Sequence, residues 1–349
     1  MIKRKNLKIA NYLISEKNPA FIVAEIGQAH RGSMKNVINY IDKLSDTGVD
    51  AVKFQTHYAN EESTYDEKFR VKIGNFKSRF NYWKSVEFTF EEWKKIKKYC
   101  EKKKLIFLSS VFSLKGFEVI KKLNVSAWKV ASGEYNSKYI LSKMYETKKP
   151  IIISTGLMRN AEIIDMHKYL NKKKVSHCFL HCVSSYPVNL KKAGLNNLNE
   201  LKKKLKCQIG YSDHSGKIIV PTYAIINGAK IIEVHAKFKK DEKGPDSTSS
   251  LTIKEIYDLC KFRDQIHLLQ KNPVNKNKLS NDLIRMKKLF NKSLALNKNL
   301  NKGSKISIKD LTFKKPGTGY NQSKLKYIIG KKLTRFVSSK VILKPIHFK

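Results

Sequence analysis

Two lysines interrupt apolar runs of this sequence, Lys53 in DAVKFQ and Lys129 in AWKVAS. An ammonium buried without a partner is costly. Each lysine therefore either points outward between packed elements or joins a pair of cations converging on an anionic ligand, and strands buried on both faces favour the second reading. Ser132, Ser154, Ser184 and Ser212 lie at the ends of similar runs and would supply the hydroxyls that a phosphate site uses, although serine is also common in turns. His214 and His235 end consecutive runs, QIGYSDH and IIEVH, with Asp213, Glu233 and Asp246 in the neighbourhood. Two imidazoles with one or two carboxylates and open positions suit a divalent cation acting as a Lewis acid. For a single histidine a hydrogen-bonded core or loop role is the simpler reading; His30, His57 and His181 also sit at strand ends, as substrate contacts or packing residues. Glu25, Glu134 and Asp246 complete the set. A carboxylate beside a lysine or a metal stays ionised and one against apolar walls keeps its proton, which separates base from acid. Plain ion pairing to the lysines is the structural alternative for them.

These residues need elements that bring them together. Eight times in the first 240 residues a short apolar run ends in polar or ionisable residues and a turn or helical stretch follows: FIVAE, DAVKFQ, LIFLSS, AWKVASGE, IIISTG, FLHCVSSY, QIGYSDH and IIEVH. Continuous Val/Ile/Leu runs are the mark of buried parallel strands. Alternation with helices predicts an α/β chain folded as a (β/α)8 TIM barrel, whose chemistry collects at the C-terminal ends of the strands. Thr89-x-x-Glu92 and Thr252-x-x-Glu255 are capping-box patterns that open two of the helices. Residues 57–88 form a long insertion rich in charge and aromatics, read as a substrate lid or a small ordered helix. From Lys271 the texture becomes polar, with Pro and Asn. The expected division is a catalytic barrel over 1–272, a linker over 273–288 and a small β-rich module over 289–349, a size at which docking against another surface is expected.

Composition excludes several classes. The longest apolar runs fall short of the ~18 residues a membrane span needs, so no membrane role is expected. The N-terminus has basic residues but no apolar stretch before Asn18 and Pro19, so no signal peptide is indicated. Five cysteines without a CxxC pair predict free thiols in a reducing cytoplasm. The formal charge of +42 invites a nucleic-acid reading. The excess is nearly all lysine, however, and is spread from Lys3 to Lys349 without a recognition module, so no nucleic-acid partner is expected. A positive field would still draw in anionic substrates.

The ordered segments AEIGQAHRGS, AVKFQTH, FLSSVFS, AWKVASGEYN, IIISTG, HCVSSYPV, IGYSDHS, EVH and GPDS resemble the N-acetylneuraminate (sialic acid) synthase family, including its legionaminic and pseudaminic acid synthase relatives. The tail, with NKGSKISIKDLTFKKPGTG and IIGKKLTR, is similar to that family's antifreeze-like SAF domain. The resemblance covers essentially the whole chain. It implies a C–C bond-forming transferase that condenses phosphoenolpyruvate with an N-acyl-mannosamine-type aldehyde sugar and water, giving a nonulosonic acid and phosphate. A 2,4-diacylamino-trideoxy hexose is the alternative acceptor, and a non-catalytic barrel that binds polyanions is the alternative from another class.

The resemblance further implies site roles. Lys53, Lys129, Ser132, Ser154, Ser184 and Ser212 would hold phosphoenolpyruvate, and His214 and His235 a divalent metal ion, Mn2+ or Mg2+. Gln55, Tyr186, Asp246 and Lys315 would face the acceptor sugar. Glu25, Glu134, His235 and Asp246 would be catalytic, with Glu25 as base for the attacking water and Glu134 as a second acid/base contact. The family's SAF domain crosses to the partner barrel in a domain-swapped homodimer, which is the expected self-association. Three positions depart from the pattern: Ala29, Val234 and Lys315 stand where the family usually has Asn, Arg and Arg. Lysine offers a point charge in place of a planar fork, so the third change bears on the acceptor.

Overall fold

The computed structural model describes residues 4–69, 73–244 and 246–348. Residues 70–72, inside the aromatic insertion, and Pro245, inside the GPDS segment, lie outside them. The chain forms two compact units, Met1–Asn272 and Pro273–Lys349.

The first unit begins with an antiparallel hairpin, β1 (Leu7–Ile9) and β2 (Tyr12–Ile14). Eight parallel strands follow, each of the eight expected runs supplying one: β3 (Phe21–Gly27), β4 (Ala51–Thr56), β5 (Ile106–Val111), β6 (Trp128–Val130), β7 (Ile151–Ser154), β8 (His177–His181), β9 (Gln208–Asp213) and β10 (Ile231–Lys237). Because β10 pairs with both β9 and β3, the sheet closes into a (β/α)8 barrel. A short strand, β11 (Ser250–Thr252), adds to β10 outside the ring.

Helix α1 (Met34–Ser45) follows β3. After β4 come α2 (Ala59–Glu62), α3 (Arg79–Ser85) and α4 (Phe90–Lys102). One helix then follows each strand: α5 (Leu114–Lys122), α6 (Lys138–Glu146), α7 (Asn160–Lys172), α8 (Asn196–Lys204), α9 (Ile219–Ile226) and α10 (Ile253–Lys271). Local sequence dictates their starts. In α1 the Ser33 side chain accepts from the Asn36 amide, and Val37, Tyr40, Ile41 and Leu44, at i, i+3, i+4 and i+7, are buried. Burying side chains of this kind contributes roughly 1.5–3 kcal/mol each. Both expected capping boxes form, at Thr89/Glu92 and Thr252/Glu255.

The period of two along each strand sorts the barrel interior into layers. Phe21, Val23, Ala51, Leu108, Ala127, Ile152, Cys178, Leu180 and Ile231 pack together with Leu7, Ile9 and Ile14 of the hairpin, which fills one end of the barrel. Two residues further along the same strand faces come Glu25, Lys53, Ser110, Lys129, Ser154, Cys182 and Glu233. The alternate positions, such as Ile22, Ala24 and Ile26, face the helices and belong to the larger outer core. The strands therefore read as unbroken apolar runs until the layer where chemistry begins.

The insertion has its own small core of Ala59, Phe80, Tyr82, Trp83 and Val86 around α2 and α3. In the second unit, α11 (Asn281–Phe290) starts inside the stretch read as a linker: Ser280 accepts from the Leu283 amide, with Asp282 in the first turn and Lys287 and Lys288 in the last. Capping and charge placement override the linker-like composition there. The unit continues with β12 (Ser293–Leu296), β13 (Leu311–Lys314) and α12 (Leu325–Ile328) around Leu294, Leu296, Ile306, Ile328, Val337 and Leu343. Among the described residues, one four-residue strand pair and three isolated bridges carry its pairing, because glycines and Pro316 break the runs.

Candidate active site

A cavity of about 740 Å³ opens at the C-terminal ends of the strands, and Gln55, Ser132, Glu134, Ser184, Tyr186 and Asp246 line it. Beneath it lie the buried Glu25, Lys53, Lys129, Ser154, Ser212, His214 and His235. Of the residues singled out from sequence, Lys315 alone belongs to the second unit, where its ammonium lies 5.1 Å from the Phe290 ring centre.

Both strand lysines point inward. Lys53 Nζ is 2.8 Å from Glu25 Oε2 and 3.8 Å from Glu233 Oε2; Lys129 Nζ is 3.5 Å from Glu233 Oε1 and donates to Ser154 Oγ at 2.7 Å. Ser212 Oγ donates to Glu233 Oε1 at 3.0 Å. Two ammoniums thus share two carboxylates, and the formal charges of this layer cancel. Burial opposes the charged form of Glu233, but Lys129 and Lys53 outweigh it and hold the carboxyl below its usual range. Burial likewise works against the Lys53 ammonium, yet Glu233 and Glu25 raise its pKa; at Lys129 burial wins and the pKa falls. Glu233 was expected near the metal, and its contacts make it the hub of the lysine layer. The signal was the pair of buried cations itself, which demands a buried anion.

A second group of polar atoms faces the cavity beside Lys129. Ser132 Oγ accepts from the Gly156 amide at 3.1 Å and lies 3.3 Å from Cys182 Sγ. Ser184 Oγ is buried and has no hydrogen-bond partner among the described residues. A side chain on residue 156 would come within 2.3 Å of Ser184 Oγ and 3.0 Å of Ser132 Oγ, so only glycine keeps the hydroxyls clear. Two hydroxyls, one of them held in place by the Gly156 amide, and a neighbouring ammonium are donors that an anion cradle can use. Gly156 did not stand out in the sequence, because IIISTG reads as an ordinary strand end.

His214 Nδ1 faces the Val183 carbonyl at 3.0 Å, so that nitrogen carries the proton and donates it, leaving Nε2 as the lone-pair nitrogen. Tyr186 OH is 3.1 Å from this Nε2, and the His235 ring centre is 5.5 Å from that of His214. Burial, and then His235, push the His214 pKa down to about 3, so the ring is neutral. Two adjacent histidines, one of them fixed in its tautomer by a carbonyl, fit a divalent cation. Among the described residues, the set of three ligand-type atoms within 4.8 Å of one another is a different one, His167, His177 and Cys207. The two rings of that set already bond each other at 2.8 Å, and burial, followed by Lys5 and Lys206, lowers the His167 pKa. Their contacts are satisfied without an ion.

The carboxylates separate as their surroundings dictate. Glu25 is fully buried against Lys53, and Gln55 Nε2 donates to its Oε1 at 2.8 Å. Glu134 sits in a 3-10 turn, accepts from Ser137 Oγ at 2.7 Å and has its pKa raised, chiefly by burial. Asp246 holds a left-handed backbone (φ 56°), which Asp tolerates better than most residues. Among the competing histidines, His30 is packed 4.8 Å from the Phe88 ring, whereas His57 opens on the cavity.

Residues 40–275 match the NeuB family. The chain belongs to that family. It is 30% identical over 321 residues to the N,N'-diacetyllegionaminic acid synthase of Campylobacter jejuni, with 90% of this chain and 96% of that protein covered. To the human N-acetylneuraminate-9-phosphate synthase it is 27% identical, covering 71% of this chain and 70% of the relative. Among solved structures, the N-acetylneuraminic acid (sialic acid) synthetase of Leptospira borgpetersenii superposes with a TM-score of 0.71 at 28% identity, over 81% of this chain and 95% of the other. Membership of the NeuB family agrees with the barrel and with a carbohydrate-biosynthetic role. No helix among the described residues is long and apolar enough to cross a membrane.

Proposed function

We propose that this NeuB-family protein condenses phosphoenolpyruvate with the open-chain aldehyde of an N-acyl-mannosamine-type sugar, with water, to release phosphate and a nonulosonic acid. The observation that carries the reading is the donor set beside the cavity: the unpartnered Ser184 hydroxyl, the Ser132 hydroxyl held by the Gly156 amide, and the Lys129 ammonium. Phosphoenolpyruvate carries both a phosphate and a carboxylate, and Lys53, Ser154 and Ser212 extend the set beneath these three. The lysine layer is neutral before substrate arrives, so an incoming dianion meets ammoniums already ordered by Glu25 and Glu233, and little reorganisation remains to be done.

In the reaction a bond forms between the methylene carbon of phosphoenolpyruvate and the aldehyde carbon. Water adds to the cationic centre this leaves, and the tetrahedral adduct collapses with loss of phosphate. Glu25, ion-paired with Lys53 and oriented by Gln55, takes the proton of that water. Glu134, whose raised pKa favours the protonated form, is the second acid/base group and serves the acceptor oxygen. Tyr186, Gln55 and Asp246 face the acceptor; Lys315 is assigned to it from the neighbouring subunit of a domain-swapped dimer. His214 and His235 would hold Mn2+ or Mg2+, which when bound polarises the aldehyde. His235 and Asp246 keep the catalytic assignment that the resemblance implies.

A 2,4-diacylamino-trideoxy hexose is the second acceptor reading, favoured by the 30% identity to diacetyllegionaminic acid synthases. A phosphate-release assay with phosphoenolpyruvate, Mn2+ and a panel of mono- and diacylamino hexoses tests both. Turnover with one class is expected, and no turnover with any acceptor would sink the enzyme reading.

A further inference from the structure

Between Phe238 and Leu251 the sequence has no Val, Ile, Leu, Met or aromatic residue. Yet Lys243, Gly244, Asp246 and Thr248 of this segment line the cavity. With so little apolar surface to bury, the segment depends on polar ties to the rest of the barrel, and a stretch without them belongs to the low-stability end of a fold. Its far end is tied beside β11: Lys237 Nζ donates to the Ser247 carbonyl at 2.9 Å, and Ser250 Oγ donates to the Asp246 carbonyl at 2.7 Å. Its near end is held from two other elements.

The first hold is on α1. Glu242 Oε2 accepts from the Phe238 amide at 2.6 Å and Oε1 from the Tyr40 hydroxyl at 3.1 Å, while the Tyr40 and Phe238 rings stack at 3.8 Å and 23°. The second comes from the turn between β3 and α1. The Arg31 guanidinium donates to the Lys243 carbonyl, and a Cβ on Gly244 would lie 3.4 Å from its Nη2, so side chain and segment are packed together. Arg31 and Gly32 both have left-handed backbone, φ 53° and 71°. Glycine adopts it freely, and arginine only where its surroundings fix it. Here they do. The Gly32 amide donates to His30 Nδ1 at 3.0 Å, and the Ser85 carbonyl at the end of α3 packs so closely that a Cβ on Gly32 would come within 2.1 Å of it. Arg31 thus reaches the segment from a turn wedged against the insertion.

We propose that Arg31 and Glu242 are positioning residues for the acceptor side of the site: both stand outside the cavity lining, and together they hold Lys243 and Gly244 at its wall. The ties beside β11 fix the Asp246 and Ser247 carbonyls. How the chain approaches Asp246, and the room left beside its side chain, depends on the two holds at the other end. The effect on the acceptor rests on the proposed function of the site; the hold on the segment does not.

The test uses the full-length protein and two variants: Arg31→Met, which keeps the stem and removes the donor, and Tyr40→Phe, which keeps the stack on Phe238 and removes the hydroxyl that Glu242 holds. Arg31 is exposed and the Tyr40 ring is retained, so both variants are expected to fold. Hydrogen exchange followed by mass spectrometry, without ligand, reads the hold directly. The segment 238–247, in which the Phe238, Glu242 and Ser247 amides are hydrogen-bonded, should exchange about 2- to 10-fold faster in each variant, the span that one net hydrogen bond covers, with β3 and β5 unchanged. Exchange that stays unmoved in Arg31→Met or in Tyr40→Phe overturns the proposal. So does acceleration spread evenly over the barrel, which marks a general loss of stability. In the condensation assay the KM for the acceptor should rise roughly 5- to 10-fold with the KM for phosphoenolpyruvate within about twofold, because the donors assigned to phosphoenolpyruvate stand on or beside other strands. A KM for phosphoenolpyruvate that rises as much counts against it. If the unmodified protein turns over no acceptor, the proposed function falls and the exchange rates still decide the two holds.

Discussion

Glu233 Oε1 lies 3.5 Å from the ammonium of Lys129, and both side chains are almost wholly buried. Removing one partner of such a pair leaves an uncompensated charge and costs about 3–5 kcal/mol. Lys129→Met should therefore lower the urea midpoint markedly and raise the KM for phosphoenolpyruvate at least ~10-fold, since a charge-assisted donor disappears from the cradle. The double variant Lys129→Met/Glu233→Gln should recover much of the stability and none of the substrate affinity. Equal recovery of both would mean that the lysine serves the fold alone.

The hydroxyl cradle can be tested without touching a charge. Gly156→Ala places a methyl group 2.3 Å from Ser184 Oγ, on the cavity side of the strands. The far end of Ser184 can rotate away, so the melting temperature should move by only a few degrees. The KM for phosphoenolpyruvate should rise roughly tenfold or more, while a smaller anion such as inorganic phosphate loses less. Unchanged use of phosphoenolpyruvate by the alanine variant would remove Ser184 and Ser132 from the cradle.

Much of this was legible in the chain because the barrel strands are buried on both faces and end abruptly in polar residues. Lys53, Lys129 and Glu25 are visible as breaks in apolar runs. What escaped depends on register across strands. Glu233 belongs with two lysines from β4 and β6, and nothing local to IIEVH says so. Gln28, just past the end of β3, meets Gln55 of β4 and Tyr82 of α3 in the same way. The hairpin β1–β2 was invisible for another reason: its strands are three residues long, too short for a period to register, although Leu7, Ile9 and Ile14 complete the inner core. Helix α11 was hidden by the polar, Pro- and Asn-bearing stretch before it.

Metal removal separates the histidine pair from the rest of the site. Dialysis against a chelator should abolish condensation, and Mn2+ or Mg2+ should restore it. His214→Gln should weaken Mn2+ binding, followed by titration calorimetry, by at least ~10-fold, because one imidazole ligand is lost. Full activity after chelation, or metal affinity unchanged in His214→Gln, would contradict the assignment. His167→Gln, in the separate cluster with His177 and Cys207, should leave Mn2+ binding at the rim as it was.

Buried neutral histidines also predict how the fold responds to acid. Burial is the first cause of both shifts, taking His30 down to about 3 and His177 down to about 4 from the usual 6.5. Between pH 6.5 and those values the unfolded chain binds protons that the folded chain refuses, so stability falls as pH falls and levels off below the folded pKa. At pH 5 each group, 1.5 units below 6.5, costs about 2 kcal/mol relative to neutral pH, at 1.36 kcal/mol per unit. Urea midpoints measured at pH 7.5 and pH 5 should therefore drop by the equivalent of roughly 4 kcal/mol from these two residues, a large share of a typical domain's 5–15 kcal/mol. His177→Asn, compared with its own stability at pH 7.5, should lose about 2 kcal/mol less on acidification than the unmodified protein. A pH-independent midpoint across this window would mean that the two imidazoles become charged without unfolding the barrel.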